Sequence, residues 1–165
     1  MLFRLKQAFE GADGNVTQAT YPSGRIVTYS RDSLGRISGV TTKKDASSAA
    51  VTLASGVTYQ PFGGLAALNY GNGLTLAKTF TSDYLLNALQ VMDGATAIID
   101  RSHAFGDGIN LTGITETTVS GRSEIYAYTN ANRLQNATGP WDTLAYSSRL
   151  RNRRYLNRNR RLAAG

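Results

Sequence analysis

Arg31-Asp32-Ser33-Leu34-Gly35-Arg36-Ile37-Ser38-Gly39-Val40-Thr41 is the stretch on which the fold of this chain turns. An aspartate, two small or variable residues and a glycine are what a tight reversal needs, because the carboxylate can accept backbone N–H bonds and the glycine can take positive φ. The Ile37-Ser38-Gly39-Val40-Thr41 that follows alternates as a strand with one apolar face does.

Working outward, Gly35-Arg36-Ile37 recurs as Gly24-Arg25-Ile26, again followed by polar–apolar alternation. Looser copies are Asp13-Gly14-Asn15-Val16-Thr17, Phe105-Gly106-Asp107-Gly108-Ile109-Asn110-Leu111-Thr112 and Tyr128-Thr129-Asn130-Ala131-Asn132-Arg133-Leu134. All fit one frame: an aromatic, about three turn formers, a Gly or Asn slot, Arg or Asn, then an apolar residue opening a strand. Repetition at this scale predicts an array of small supersecondary units.

The rest of the body agrees. Segments 25–30, 56–60, 74–80, 109–115, 122–128 and 143–147 are rich in Val, Ile, Thr and Tyr, with Val27/Tyr29 and Tyr126/Tyr128 two apart on one face. Gly24, Gly35, Asn72-Gly73 and Asp93-Gly94 are the expected reversals between antiparallel strands. Two stretches, Leu2 to Glu10 and Ser82 to Met92, have apolar spacing that a helix could also use.

These residues resemble the Rhs/YD-repeat family, whose units look like Tyr-Asp-x-x-Gly-Arg-Leu followed by a strand. Arg31 stands in the tyrosine slot of the best copy, and Tyr21-Pro22-Ser23-Gly24, Tyr59-Gln60-Pro61-Phe62-Gly63-Gly64-Leu65 and Tyr70-Gly71-Asn72-Gly73-Leu74 are similar to connecting phrases of bacterial Rhs proteins. Phe80-Thr81-Ser82-Asp83-Tyr84-Leu85-Leu86 fits as a degenerate unit, so the resemblance covers roughly residues 11 to 146. Gly106 and Thr129 stand where the family prefers aspartate, which is expected to loosen hairpin registration there.

The resemblance implies a mainly β fold: antiparallel hairpin repeats forming part of a spiralling β-sheet strip, a wall that encloses toxin cargo in insecticidal toxin complexes, bacterial polymorphic toxins and teneurins. It implies a bacterial, secreted or cell-associated parent, with the remainder of a larger repeat protein, or self-association through exposed strand edges, as partner. Its repeat-signature residues here are Gly14, Asn15, Tyr21, Gly24, Arg25, Asp32, Gly35, Arg36, Tyr59, Gly73, Asn110, Tyr128 and Arg133. Family members release cargo through an aspartate-containing motif beyond the repeats, and that motif is not among these residues.

Charge divides the chain in two. The 165 residues carry +7, yet 11 basic residues from Arg4 to Arg133 balance all 11 acidic ones, so the surplus is Arg149, Arg151, Arg153, Arg154, Arg158, Arg160 and Arg161. The expected division is therefore a partial repeat region at 1–148 and an Arg-rich tail at 149–165, without order of its own because like charges repel and few apolar neighbours can be buried. Arginine-rich low complexity is also what a GC-rich gene yields out of frame, so the native repeat is expected to stop near Ser148. The tail's functional alternative is nucleic acid or an anionic membrane.

Catalytic chemistry finds little footing. Cysteine is absent, His103 is the sole histidine, no Gly-Lys-Ser/Thr loop occurs, and Asp93, Asp100 and Asp107 lack calcium-loop spacing. The expectation is no enzyme, no cofactor and no metal. Trp141 and the tyrosines leave a carbohydrate-binding or adhesion module as the alternative, although a wall residue is the simpler role for Trp141. Sequons at Asn15, Asn110 and Asn136 are near what chance supplies. The N-terminal residues lack a signal-peptide pattern, and no apolar run spans a bilayer.

Overall fold

The computed structural model describes residues 7–11 and 13–147, together with the backbone of 155–158. Apart from one short 3₁₀ turn, Asp107–Ile109, its regular structure is antiparallel strand. The strands are β1 (Gln7–Glu10), β2 (Val16–Thr20), β3 (Ile26–Arg31), β4 (Ile37–Lys43), β5 (Val51–Tyr59), β6 (Leu65–Tyr70) and β7 (Leu74–Phe80). They continue as β8 (Leu86–Asp93), β9 (Thr96–Phe105), β10 (Leu111–Glu116), β11 (Glu124–Tyr128), β12 (Leu134–Gly139), β13 (Asp142–Ser147) and β14 (Tyr155–Arg158). Sheet order is chain order throughout, so every connection is a hairpin.

The chain divides into two compact units. One runs up to Thr79 and includes Val91–Ala97; the other comprises Phe80–Gln90 and the chain from Ile98. In the first, register places Ala19 opposite Val27, Val27 opposite Thr42, and Tyr29 opposite Val40. Tyr126, Ala137 and Leu144 form the corresponding row of the second.

No second layer covers either unit's sheet among the described residues. Buried apolar side chains are confined to Ala19, Leu76 and Ala137, while Val51, Leu53, Ile98 and Ile125 stay exposed on strands. A domain ordinarily hides its apolar faces between two layers. Here the hydrogen-bonded ladder and the turns must carry a larger share of the stability.

The expected strands and turns are present. Gly24, Gly35, Gly73 and Gly94 all have positive φ, at +85°, +78°, +90° and +55°. The helix-compatible stretches are strands where they are described, as β1 and as β8 after a turn at 81–85. Pairing with an adjacent strand outweighs a local apolar spacing that fits both periods. Met1 to Lys6 lie outside the described residues. In the Arg-rich tail, expected to lack structure, the backbone of Tyr155–Arg158 pairs with β13, Ser147 opposite Tyr155; the rest of the tail lies outside the described residues.

Candidate functional site: the turn ladder

One five-residue turn recurs along the chain. With i its first residue, i N–H donates to the carbonyl of i+4, and i+3 N–H donates back to the carbonyl of i. Gly11, Tyr21, Asp32, Gln60, Thr81 and Thr129 start such turns, and Gly106 starts one with the first bond, at N–O distances of 2.8–3.3 Å. This is the three-residue hairpin loop, a type I turn closed by a residue in the left-handed region. In six of these seven turns that slot is at positive φ, held by Gly14, Gly24, Gly35, Tyr84, Ile109 and Asn132; the turn from Gln60 has Gly63 there, outside the positive-φ set.

Hairpin topology puts the turns starting at 11, 32 and 60 at one end of the strands in the first unit, and those at 81, 106 and 129 at one end in the second. Along these rims the frame is filled in one order. Residue i−1 is Glu10, Arg31, Tyr59, Phe80, Phe105 or Tyr128; i+4 is Asn15, Arg36, Gly64, Leu85, Asn110 or Arg133; i+5 is Val16, Ile37, Leu65, Leu86, Leu111 or Leu134. The turn starting at Tyr21, with Gly24 and Arg25, belongs to the opposite rim, as does Gly73, whose N–H donates to Tyr70 at 3.0 Å. The two Gly-Arg-Ile copies in the sequence are thus on opposite rims.

Asp32 shows why the motif holds. Its Oδ1 accepts N–H bonds from Leu34 and Arg36, both at 2.9 Å, and its Oδ2 accepts Arg36 Nε at 2.8 Å. Partial burial pushes the Asp32 carboxyl up, but the Arg36 guanidinium and the two backbone N–H groups together outweigh it and hold it below its usual range. Asp13 plays a related part, held low by the side-chain amide of Asn15, 2.6 Å away. Thr81 and Thr129 keep a weaker version: their hydroxyls accept N–H bonds from Leu85 and Arg133 at 3.2 and 3.3 Å. Gly106 has no side chain to offer, and there the loop tightens into the 3₁₀ turn.

Successive turns of a rim are also tied to each other. The hydroxyl of Tyr59 donates to the carbonyl of Ile37 at 2.7 Å, and that of Tyr128 to Leu111 at 2.9 Å. In both, residue i−1 of one turn reaches residue i+5 of the preceding one. Arg31, in the tyrosine slot, makes the same connection by other chemistry: Nη2 donates to Val16 O at 2.9 Å, and Nη1 to Gly35 O at 2.8 Å. Arg36 completes the tie to the 60–64 turn, with its guanidinium carbon 4.6 Å from the Tyr59 ring centre and Nη1 3.4 Å from Gln60 O. Asn110 Nδ2 donates to Asn132 Oδ1 at 2.9 Å, linking the last two turns.

The remaining signature residues do not share one site. Arg25 donates to Thr42 Oγ1 at 3.3 Å within the first unit, while Arg133 is exposed. Sequence reading missed two features. Arg101 Nε donates to Glu116 Oε2 at 2.7 Å, and Glu116, whose side chain is 2% exposed, also takes the N–H and hydroxyl of Thr118. Only the β9–β10 register, with Glu116 opposite Arg101, reveals that pair. Gly71 is the other: a Cβ there would sit 1.8 Å from the carbonyl oxygen of Thr52. Trp141 lies over Gly139, where a Cβ would meet the indole ring at 2.9 Å.

Among the described residues no group of three or more His, Asp or Glu side chains could hold a metal, and no helix is long and apolar enough to cross a membrane.

An open meander of hairpins, tied turn to turn along a rim, defines the class as a β-hairpin repeat protein. Residues 12–47, from the first rim turn through β4, match the family described as RHS Repeat. Among solved structures it is similar to the TcdB2–TccC3 crystal structure, with a TM-score of 0.76 and 15% identity over 86% of this chain. It is similar as well to the Photorhabdus luminescens Tc holotoxin pore with a TccC3 substitution, at TM-score 0.75 and 15% identity over 85% of the chain. The crystal structure of TcdB2–TccC3–Cdc42 gives 0.74 and 15% over 86%. The chain spans 8% of the length of each of these structures. None of the curated proteins matches it.

Proposed function

We propose that the chain is a non-catalytic wall module, a run of Rhs-type hairpins that works within a longer repeat sheet enclosing toxin cargo. The observation that carries this reading is the combination of a single-layer sheet, with just Ala19, Leu76 and Ala137 as buried apolar residues among the described residues, and rim turns bonded to one another. Such an arrangement gains stability by adding neighbours rather than by closing a core, which is how repeat arrays behave. The fold shared with the Tc structures and the RHS Repeat match support the same reading.

Protection of cargo tests it. A small folded reporter is placed downstream of the repeats in the full-length parent and exposed to trypsin, with and without residues 11–146. Survival of the reporter in the intact protein and its digestion after the deletion are expected. Equal digestion of the two would remove the wall reading.

A further inference from the structure

The arginines beyond Ser148 are patterned as well as numerous. Arg151-Asn152-Arg153-Arg154 recurs, residue for residue, as Arg158-Asn159-Arg160-Arg161, with Tyr155-Leu156-Asn157 between the copies. Biased composition alone does not require a quartet to repeat in this way. The two quartets flank β14: the first ends at Arg154, immediately before that strand, and the second begins with Arg158, its last residue. β14 pairs with β13, Arg158 opposite Leu144, so the charge is tied to the outermost strand of the sheet order. β12 and β13, next to it, hold one acidic residue between them, Asp142, against the seven arginines of 149–161. One carboxylate cannot neutralise so many guanidiniums, and the remaining charge calls for a polyanion from outside the chain.

We propose that residues 149–161 are a binding segment for single-stranded nucleic acid, a function separate from the wall and not dependent on it. Residue type selects this partner among polyanions. An anionic membrane surface reads charge, for which lysine serves as well as arginine. Here all seven basic residues are arginine, whereas the body mixes seven arginines with four lysines. Arginine's planar fork sets two N–H groups on a phosphate or on the O6 and N7 of guanine, and asparagine pairs in the same bidentate way with adenine. Both quartets are built from these two residue types alone, and the Tyr155 between them is of the kind on which an unpaired base stacks. No acidic residue lies in 143–165, so the segment holds no carboxylate to compete with phosphate. Attachment of its middle to β13 through the backbone of Tyr155–Arg158 lowers the ordering cost that an unattached peptide would incur on binding.

Salt dependence of binding tests the assignment. The full-length chain is titrated with a labelled single-stranded RNA of mixed sequence, about 20 nucleotides long and so longer than one site. Engaging a phosphate with each arginine of the segment gives a slope of log affinity against log salt of about −5, roughly a thousandfold loss between about 50 and about 200 mM salt. Arg151→Gln, Arg153→Gln and Arg154→Gln together should bring that slope to about −3, and Arg158→Gln, Arg160→Gln and Arg161→Gln together should do the same. Arg→Lys at every arginine of 149–161 should keep the slope and lower affinity about tenfold, because the charge stays and the fork is lost. Polyphosphate, the duplex form of the RNA and vesicles containing phosphatidylserine should each bind about tenfold more weakly than the single strand, since none offers unpaired bases. Far-UV circular dichroism confirms that each variant keeps the parent fold. A slope near zero, a slope unmoved by either glutamine set, equal affinity of the lysine chain, or a competitor bound as tightly as the single strand would each overturn the proposal. None of these results touches the wall reading, which stands or falls on reporter protection.

Discussion

Removing the hydroxyl from Tyr59 isolates a single rung of the turn ladder. In Tyr59→Phe the ring that Arg36 stacks on is kept, and what disappears is the 2.7 Å bond to Ile37 O. That bond is partly buried, so its net worth is about 1 kcal/mol, with the orphaned carbonyl setting the upper end near 1.5. For a chain of this size, 1 kcal/mol moves the melting midpoint by about 2–4 °C. Tyr128→Phe removes the equivalent 2.9 Å bond to Leu111 O and should cost the same. The two bonds share no partner, so the double variant should lose about 2 kcal/mol, additive to within about 0.5. Tyr59→Ala should cost more than Tyr59→Phe by at least the cation–π contribution, about 0.5–1 kcal/mol. The assay is urea unfolding followed by far-UV circular dichroism, with the midpoint shifting and the slope unchanged. An unchanged midpoint in both phenylalanine variants would refute the idea that these hydroxyls tie turn to turn.

Ile109, a β-branched residue at φ +61° and 65% exposed, gains little from its site; Ile109→Asn, copying Asn132 in the sister turn, should raise stability by about 1 kcal/mol in the same assay. Gly71→Ala drives a methyl into the Thr52 carbonyl and should cost about 3 kcal/mol or more, seen as loss of protection from hydrogen exchange in β5 and β6. Hydrogen bonds from Thr118 and from Arg101 hold the Glu116 carboxyl at about 2, below its ordinary 4.5, against the opposing effect of burial. Its folded-state pKa is depressed, so its contribution is complete above pH 4.5 and lost as pH falls toward 2; Glu116→Gln should flatten that part of the acid unfolding curve. The hydrogen bond to Glu124 pushes the Tyr126 phenol up to about 12, so one tyrosine should ionise late in an ultraviolet titration and return to the ordinary range in Glu124→Gln.

Legibility in the sequence followed how local each interaction is. The turns at Gly24, Gly35 and Asn72-Gly73 were readable because a positive-φ slot and a following apolar residue are written within five positions. Asp32 and Arg36 were readable for the same reason, their ion pair being four residues apart. β8 was ambiguous because Leu86, Leu89 and Val91 suit either period, and only pairing with neighbouring strands decides between them. Arg101 and Glu116 were invisible, because 15 residues separate them and no turn chemistry announces the β9–β10 register.

Arg31 shows what the family frame conceals at the level of single residues. By residue type it is a departure, a cation where the pattern has tyrosine, and the pattern alone marks that unit as weakened. By geometry it is the most connected of the three donors: the tyrosines each reach one carbonyl of the preceding turn, whereas its guanidinium reaches Val16 O in the preceding turn and Gly35 O in its own. What the slot demands is a donor long enough to cross to residue i+5, and both a phenol and a guanidinium meet that demand. The same reasoning explains why Phe80 and Phe105 occupy the slot without serving it in this way, since a phenyl ring has no hydrogen to donate. Rungs with hydroxyl or guanidinium donors should therefore hold longest during unfolding. The hairpins that begin at Phe80 and Phe105 should exchange their amide hydrogens first.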